Sequence, residues 1–182
     1  VDFPSVETKT LRRMLSYSIP LIPTTILWWI TNVADRYMLM EMMDASVTGL
    51  YTVSYKIPTM LTLVSGIFIE AWQYSAVKER ADGEKEHASF FSVTFDNFSA
   101  LMFCAGTFLI AFSRIATKIM ADASYFESWQ YIPILSLATV FSSLVTFMGV
   151  IYLMEKKSTV SFYTALIGAI INIVLNFILI PT

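Results

Sequence analysis

"SWQYIPILSLATVFSSLVTFMGVIYLM", residues 128–154, is a run of 27 residues without one Asp, Glu, Lys or Arg. A helix rises ~1.5 Å per residue, and the hydrocarbon core of a bilayer takes about 20 apolar residues to cross. This run is long enough to span, and the rest of the chain repeats the pattern. Residues 14–34 give 21 uncharged positions and 158–182 give 25. Two shorter runs, 97–113 with 17 and 57–69 with 13, reach spanning length only if Asp96, Lys56 and Glu70 lie at or inside the helix ends. Over 182 residues the composition is 56% hydrophobic and 14% charged, where soluble domains carry roughly a quarter charged residues. The expected fold is an all-α polytopic membrane protein with five transmembrane helices, at about 14–37, 47–77, 90–113, 130–154 and 160–180.

The connections set the orientation. Lys9, Arg12 and Arg13 precede the first span, Lys78, Arg80 and Lys85 lie between the second and third, and Lys156 and Lys157 between the fourth and fifth. These fall on one side, against Arg36, Arg114 and Lys118 on the other. The positive-inside rule makes 78–89 and 155–159 cytoplasmic loops and 38–46 and 114–129 outer loops. The segment then begins inside and ends outside. Its first residues, "VDFPSVETKTLRR", have no signal-peptide character, and "FILIPT" follows a span without flanking charge. Both ends read as boundaries within a longer protein. The outer stretch "RIATKIMADASYFESWQ" suits a short interfacial helix, with Tyr125, Phe126, Trp129 and Tyr131 at headgroup level.

A net charge of −2 gives no reason to expect a nucleic-acid partner. The one cysteine, Cys104, forms no disulfide framework, and the one histidine, His87, sits in a charged loop. No His, Cys and carboxylate set has metal-ligand spacing, and no Gly-rich phosphate loop occurs. No catalytic constellation is visible, so an enzyme is not expected.

Ionisable groups in hydrocarbon cost several kcal/mol and tend to mark function. On a continuous helix Lys56 and Glu70 are about 40° apart around the axis and ~21 Å apart along it. Thr52, Thr59, Gly66 and Gln73 lie near the same stripe. On the first span, Thr24, Trp28, Thr31 and Asp35 form one strip, and Thr25, Trp29, Asn32 and Arg36 its neighbour. Counting out from the turn near Asp44 puts Asp35, Arg36 and Lys56 at similar depth, as one charged cluster. Each has a plainer reading as well. Asp35 and Arg36 suit a helix end with Arg36 snorkelling, and Lys56 suits a structural partner of Asp35. Glu70 suits a solvated terminus, and Asp96 an interfacial position. Asn172 and Asn176 share a face and suit hydrogen bonds to a neighbouring helix, while Ala138, Ser142 and Thr146 suit close helix packing. Pro20 and Pro23 predict a kink in the first span.

"YSIPLIPTTILWWITNVADRYML" (17–39), "GLYTVSYKIPTMLTLVSGIFIEAWQ" (49–73), "YIPILSLATVFSSLVTFMGVIYLMEKKS" (131–158) and "IGAIINIVLNFILIP" (167–181) together resemble the C-terminal half of the polysaccharide transporters. These are lipid-linked oligosaccharide (O-antigen type) flippases of the multidrug/oligosaccharidyl-lipid/polysaccharide exporter superfamily. The resemblance runs from Leu11 to Pro181, with Tyr74 where relatives often have proline. It implies a twelve- to fourteen-helix exporter fold in which this segment is part of the second six-helix bundle, helices seven to eleven. The partners it implies are a lipid-linked oligosaccharide, membrane lipid and the missing N-terminal helix bundle of the same chain. The implied activity is movement of polyprenyl-pyrophosphate-linked oligosaccharide across the bacterial cytoplasmic (inner) membrane, by alternating access, for cell-surface polysaccharide biosynthesis. A cation-coupled drug or metabolite antiporter of the same superfamily and a peptidoglycan lipid-precursor flippase are the alternatives. A membrane-embedded sugar polymerase or acyltransferase fits less well. On this reading Lys56, Arg36, Asp35 and Asn32 are cavity candidates for substrate, and Glu70 and Asp96 are coupling or gating candidates. No cofactor is implied beyond a coupling ion, H+ or Na+.

Overall fold

The computed structural model describes residues 8–79, 84–155 and 157–181, and all regular structure among them is helical. In chain order the elements are α1 (Thr8–Ser18), α2 (Leu21–Met42), α3 (Ala45–Lys56), α4 (Thr59–Glu79), α5 (Glu84–Met120), a 3-10 helix (Ala123–Gln130), α6 (Ile132–Met154) and α7 (Ser158–Leu179). Residues 80–83 of the expected loop 78–89 and Lys156 of the loop 155–159 lie outside the described residues.

Proline decides where two of the expected spans divide. The first breaks between α1 and α2, with Pro20 at the N-cap of α2 (φ −67°, ψ −20°). Its ring disfavours helix at Ile19, and it brings no N–H. Pro23 falls in the first turn of α2, where the N–H groups have no intrahelical partner anyway. The second expected span breaks at Ile57–Pro58, and α3 and α4 meet there at a bend of 43°. The stripe drawn through Lys56 and Glu70 on one straight helix therefore does not exist as drawn. α5 is longer than expected. Its 37 residues reach ~55 Å, well beyond a hydrocarbon core of ~30 Å. Arg114 and Lys118 ride on its last turns, so α5 takes up 114–120 of the expected outer loop and the 3-10 helix 123–129.

By length and composition three helices can cross a membrane, within Ser89–Met120, Ile132–Tyr152 and Ser158–Leu179, or four if the bent pair α3–α4 is one span. α2 has 22 residues but carries Asp35, Arg36 and Glu41 and is not among them. The protein is an all-α, multi-pass membrane protein. Its surface agrees: Ile119 is 79% exposed, Ile67 72% and Ile134 69%, an outside suited to lipid. Four threonine hydroxyls on these helices are satisfied locally, whereas the buried hydroxyls of Ser99 on α5 and Ser136 on α6 make no hydrogen bond. Thr94, Thr139, Thr146 and Thr164 each donate to the carbonyl four residues back, at 2.7–2.9 Å. That is how a helix carries threonine through hydrocarbon without an unmade hydrogen bond.

The chain divides into two units, Val1–Asp44 with Ile151–Thr182, and Ala45–Val150. In the second, the core is aromatic. Phe147 of α6 is fully buried, 4.5 Å from Trp72 of α4 and 5.0 Å from Phe98 of α5, centroid to centroid. Phe91 and Phe95 close the remaining sides at 5.3 and 5.5 Å. Positions 91, 95 and 98 recur at helical spacing, which puts the three rings on one face of α5. Further along, α6 comes so close to α5 at Gly106 that a Cβ there would lie 2.7 Å from Val140 Cγ2. The 3-10 helix docks on α3: Ser54 Oγ reaches the Ser128 carbonyl at 3.3 Å, and Tyr125 lies over Gly49. Arg114 of α5 sits 5.5 Å over the ring of Trp129.

In the first unit α2 and α7 pack extensively and run parallel. Ser16 and Tyr17, just before α2, lie beside Ser158 and Thr159 at the start of α7. Asp35 and α7's Asn172 and Asn176 meet toward the other end.

Candidate functional site

Asn172 and Asn176 are four residues apart and therefore stacked on one face of α7. That face meets α2, and both amides converge on one carboxylate oxygen. Asn176 Nδ2 donates to Asp35 Oδ1 at 2.7 Å, and Asn172 Nδ2 donates to the same oxygen at 3.2 Å. A further contact of 3.4 Å joins Asn176 Nδ2 to Asn172 Oδ1. All three side chains are half-buried. Asn176 is three residues before the last residue of α7, so the cluster lies about 5–10 Å along the axis from that end.

The chemistry of this set is specific. A carboxylate beside apolar helices needs compensation, and two amide N–H donors supply part of it. Both amides present N–H to the carboxylate, so the set favours an oxygen that accepts at that point.

The other sequence candidates have different surroundings. Asn32 is exposed and donates to the Trp28 carbonyl of its own helix at 2.8 Å. Thr24, Thr25 and Thr31 likewise donate back to Pro20, Leu21 and Leu27. The threonines and Asn32 of the two strips are therefore satisfied within α2, and Asp35 is tied to α7. Arg36 is exposed on the same helix. Lys56 is the last residue of α3, in the second unit, and is exposed. It borders a cavity of ≈ 10 Å³ with Val53, Ile57, Thr117, Met120, Ala121 and Ser128. That is room for about one water, far below a sugar or a headgroup. Thr52 and Thr59, near the same stripe, donate to Thr48 and Tyr55 of their own turns. Glu70 on α4 and Asp96 on α5 are exposed. Among the described residues no group of three or more His, Cys, Asp or Glu is placed to hold a metal ion.

Sequence reasoning found Asp35, Asn172 and Asn176 separately and did not join them. Depth counting compares only spans adjacent in sequence, and these positions are 137 and 141 residues apart.

Residues 3–130, from before α1 through the 3-10 helix, match the profile of a family described as polysaccharide biosynthesis protein. The chain belongs to that family. Comparisons with curated proteins and with solved structures returned no match. Family membership gives the protein a role in polysaccharide biosynthesis, carried out by a multi-pass membrane protein. The matched region contains Asp35, Arg36 and Lys56, whereas Asn172 and Asn176 lie beyond it.

Proposed function

We propose that the protein is part of a flippase that moves polyprenyl-pyrophosphate-linked oligosaccharide across the bacterial cytoplasmic membrane by alternating access. The observation that carries this reading is Asp35, a carboxylate held by two asparagines against a helix apolar enough to span. An ionisable group at such a place is costly and is the usual mark of a coupling or transport pathway. On this reading α2 spans alongside α7, and Asp35 exchanges H+ or Na+ with the outer side as the cavity changes its opening. No covalent step is assigned to the protein, which works as a carrier and not as an enzyme. Lys56 and Arg36 remain the proposed cationic groups for the pyrophosphate, and Glu70 and Asp96 the proposed inner gating groups.

Two observations support the orientation. α2 and α7 start at the same end, and the basic residues Lys9, Arg12, Arg13 and Lys157 lie at or just before those starts. The positive-inside rule puts that end in the cytoplasm. The role in polysaccharide biosynthesis favours a lipid-linked sugar as cargo over a drug or metabolite.

The test is transport by the intact protein in proteoliposomes, with a fluorescent polyprenyl-pyrophosphate oligosaccharide and an imposed H+ or Na+ gradient. Movement of the labelled lipid that follows one of the gradients is the expected result. Exchange of small cations or drugs with no movement of the labelled lipid would replace the flippase reading with an antiporter.

A further inference from the structure

α1 divides its residues between two faces. Lys9, Arg12, Arg13 and Ser16 recur at the spacing of one helix face, and Leu11, Met14 and Leu15 occupy the opposite one. The apolar side chains are 45%, 64% and 49% exposed. The basic face is not simply a solvated edge. With Tyr17 it lines an open cleft of ≈ 490 Å³ whose far wall is Ser158 and Thr159, the first residues of α7. Among the described residues lining it there is no carboxylate. Lys157, at the N-cap of α7, makes no side-chain capping hydrogen bond. The positive end of a 22-residue helix therefore adds to three cationic side chains.

We propose that this cleft binds the phosphate of an anionic lipid headgroup at the membrane surface. Two guanidinium groups suit bidentate grip on phosphate oxygens, and Lys9 adds a third positive charge. The volume is that of a small-molecule site, ample for a phosphate and the polar group attached to it. The exposed apolar face of α1 identifies lipid as the source. A helix lying in the interface with Leu11, Met14 and Leu15 among acyl chains carries its basic side at headgroup level. Counting charges by loop read these residues only as an orientation signal. The cleft gives them a ligand, and it does so independently of transport, since Asp35 and its asparagines take no part.

The test uses the intact protein in nanodiscs of phosphatidylcholine containing phosphatidylglycerol, with native mass spectrometry of the lipid retained after extraction. Arg12→Gln/Arg13→Gln should lower phosphatidylglycerol retention by about tenfold or more, and Arg12→Lys/Arg13→Lys should restore part of it. Lys118→Gln, at the end of α5, is the control and should retain lipid as the wild type does. Thr159→Glu is the second variant. It places a carboxylate in the cleft at an exposed position where a helix start favours acids, so the fold is kept while lipid is lost. Inorganic pyrophosphate is added as the soluble competitor. Release of lipid by it is the expected result, and full retention against it overturns recognition through the phosphate. Equal retention in the wild type, the double Gln variant and Thr159→Glu overturns the proposal. So does a loss of the same size in Lys118→Gln.

Discussion

Gly106 is where a single methyl has a predictable effect. A Cβ there would meet Val140 Cγ2 at 2.7 Å, and Val140 is almost fully buried, so neither group has room to move aside. Gly106→Ala should lower the stability of the detergent-solubilised protein by about 1–3 kcal/mol in thermal unfolding. Adding Val140→Ala should raise it again, because the second change removes the colliding methyl. A double variant no more stable than Gly106→Ala alone would mean that the two helices do not meet there. This contact was not legible in the sequence, where Gly106 is one small residue in an apolar run. Asp35 was legible as an unusual charge, and Asn172 and Asn176 as a shared face. Their meeting was not, because it depends on two helices distant in sequence packing in parallel. Lys56 was legible by its charge alone, and the cavity it borders within its own unit holds about one water.

At the scale of elements, uncharged length was a sound guide to where helices lie, because hydrocarbon admits little else. Two of the three helices of spanning length, α6 and α7, follow from runs visible at once. The third, α5, extends the shorter run 97–113, and the 21-residue run 14–34 is divided between α1 and α2. What length could not give was the breaks. A helical wheel drawn through Pro58 assumes a hydrogen-bond ladder that proline cannot continue, and the chain bends by 43° there. The 3-10 helix lies in the stretch whose sequence suits a short interfacial helix. Its start is set by Asp122, whose Oδ1 accepts from both the backbone N–H and the hydroxyl of Ser124 at 3.0 Å. Those two donors hold the Asp122 carboxyl below its ordinary range, the backbone bond contributing most. A lowered folded pKa means that the unfolded chain binds the proton more readily. The cap's contribution is therefore present in full above the ordinary carboxylate pKa of about 3.9 and disappears as pH falls through the lower folded value. Asp122→Ala should lose hydrogen-exchange protection at Ser124 and Tyr125 near neutral pH, and the difference from wild type should vanish in strong acid. A difference that persists unchanged into strong acid would contradict the ionised cap.

For the whole molecule, composition identified a polytopic membrane protein, and the family match gives it a role in polysaccharide biosynthesis. The substrate step rests on one polar cluster. Most of the charge in the described helices is exposed, and Asp35 is the carboxylate that a neighbouring membrane helix holds through two amides. The central claim is that this carboxylate couples an ion to lipid-linked sugar transport. The most direct test is Asp35→Asn in the intact protein, with labelled polyprenyl-pyrophosphate oligosaccharide in proteoliposomes and thermal unfolding measured on the same preparation. The substitution keeps an oxygen for Asn172 and Asn176 to donate to and removes only the charge. The account predicts thermal stability close to wild type, with gradient-driven transport reduced by about tenfold or more. Transport by Asp35→Asn at the wild-type rate, with its gradient dependence unchanged, would contradict it.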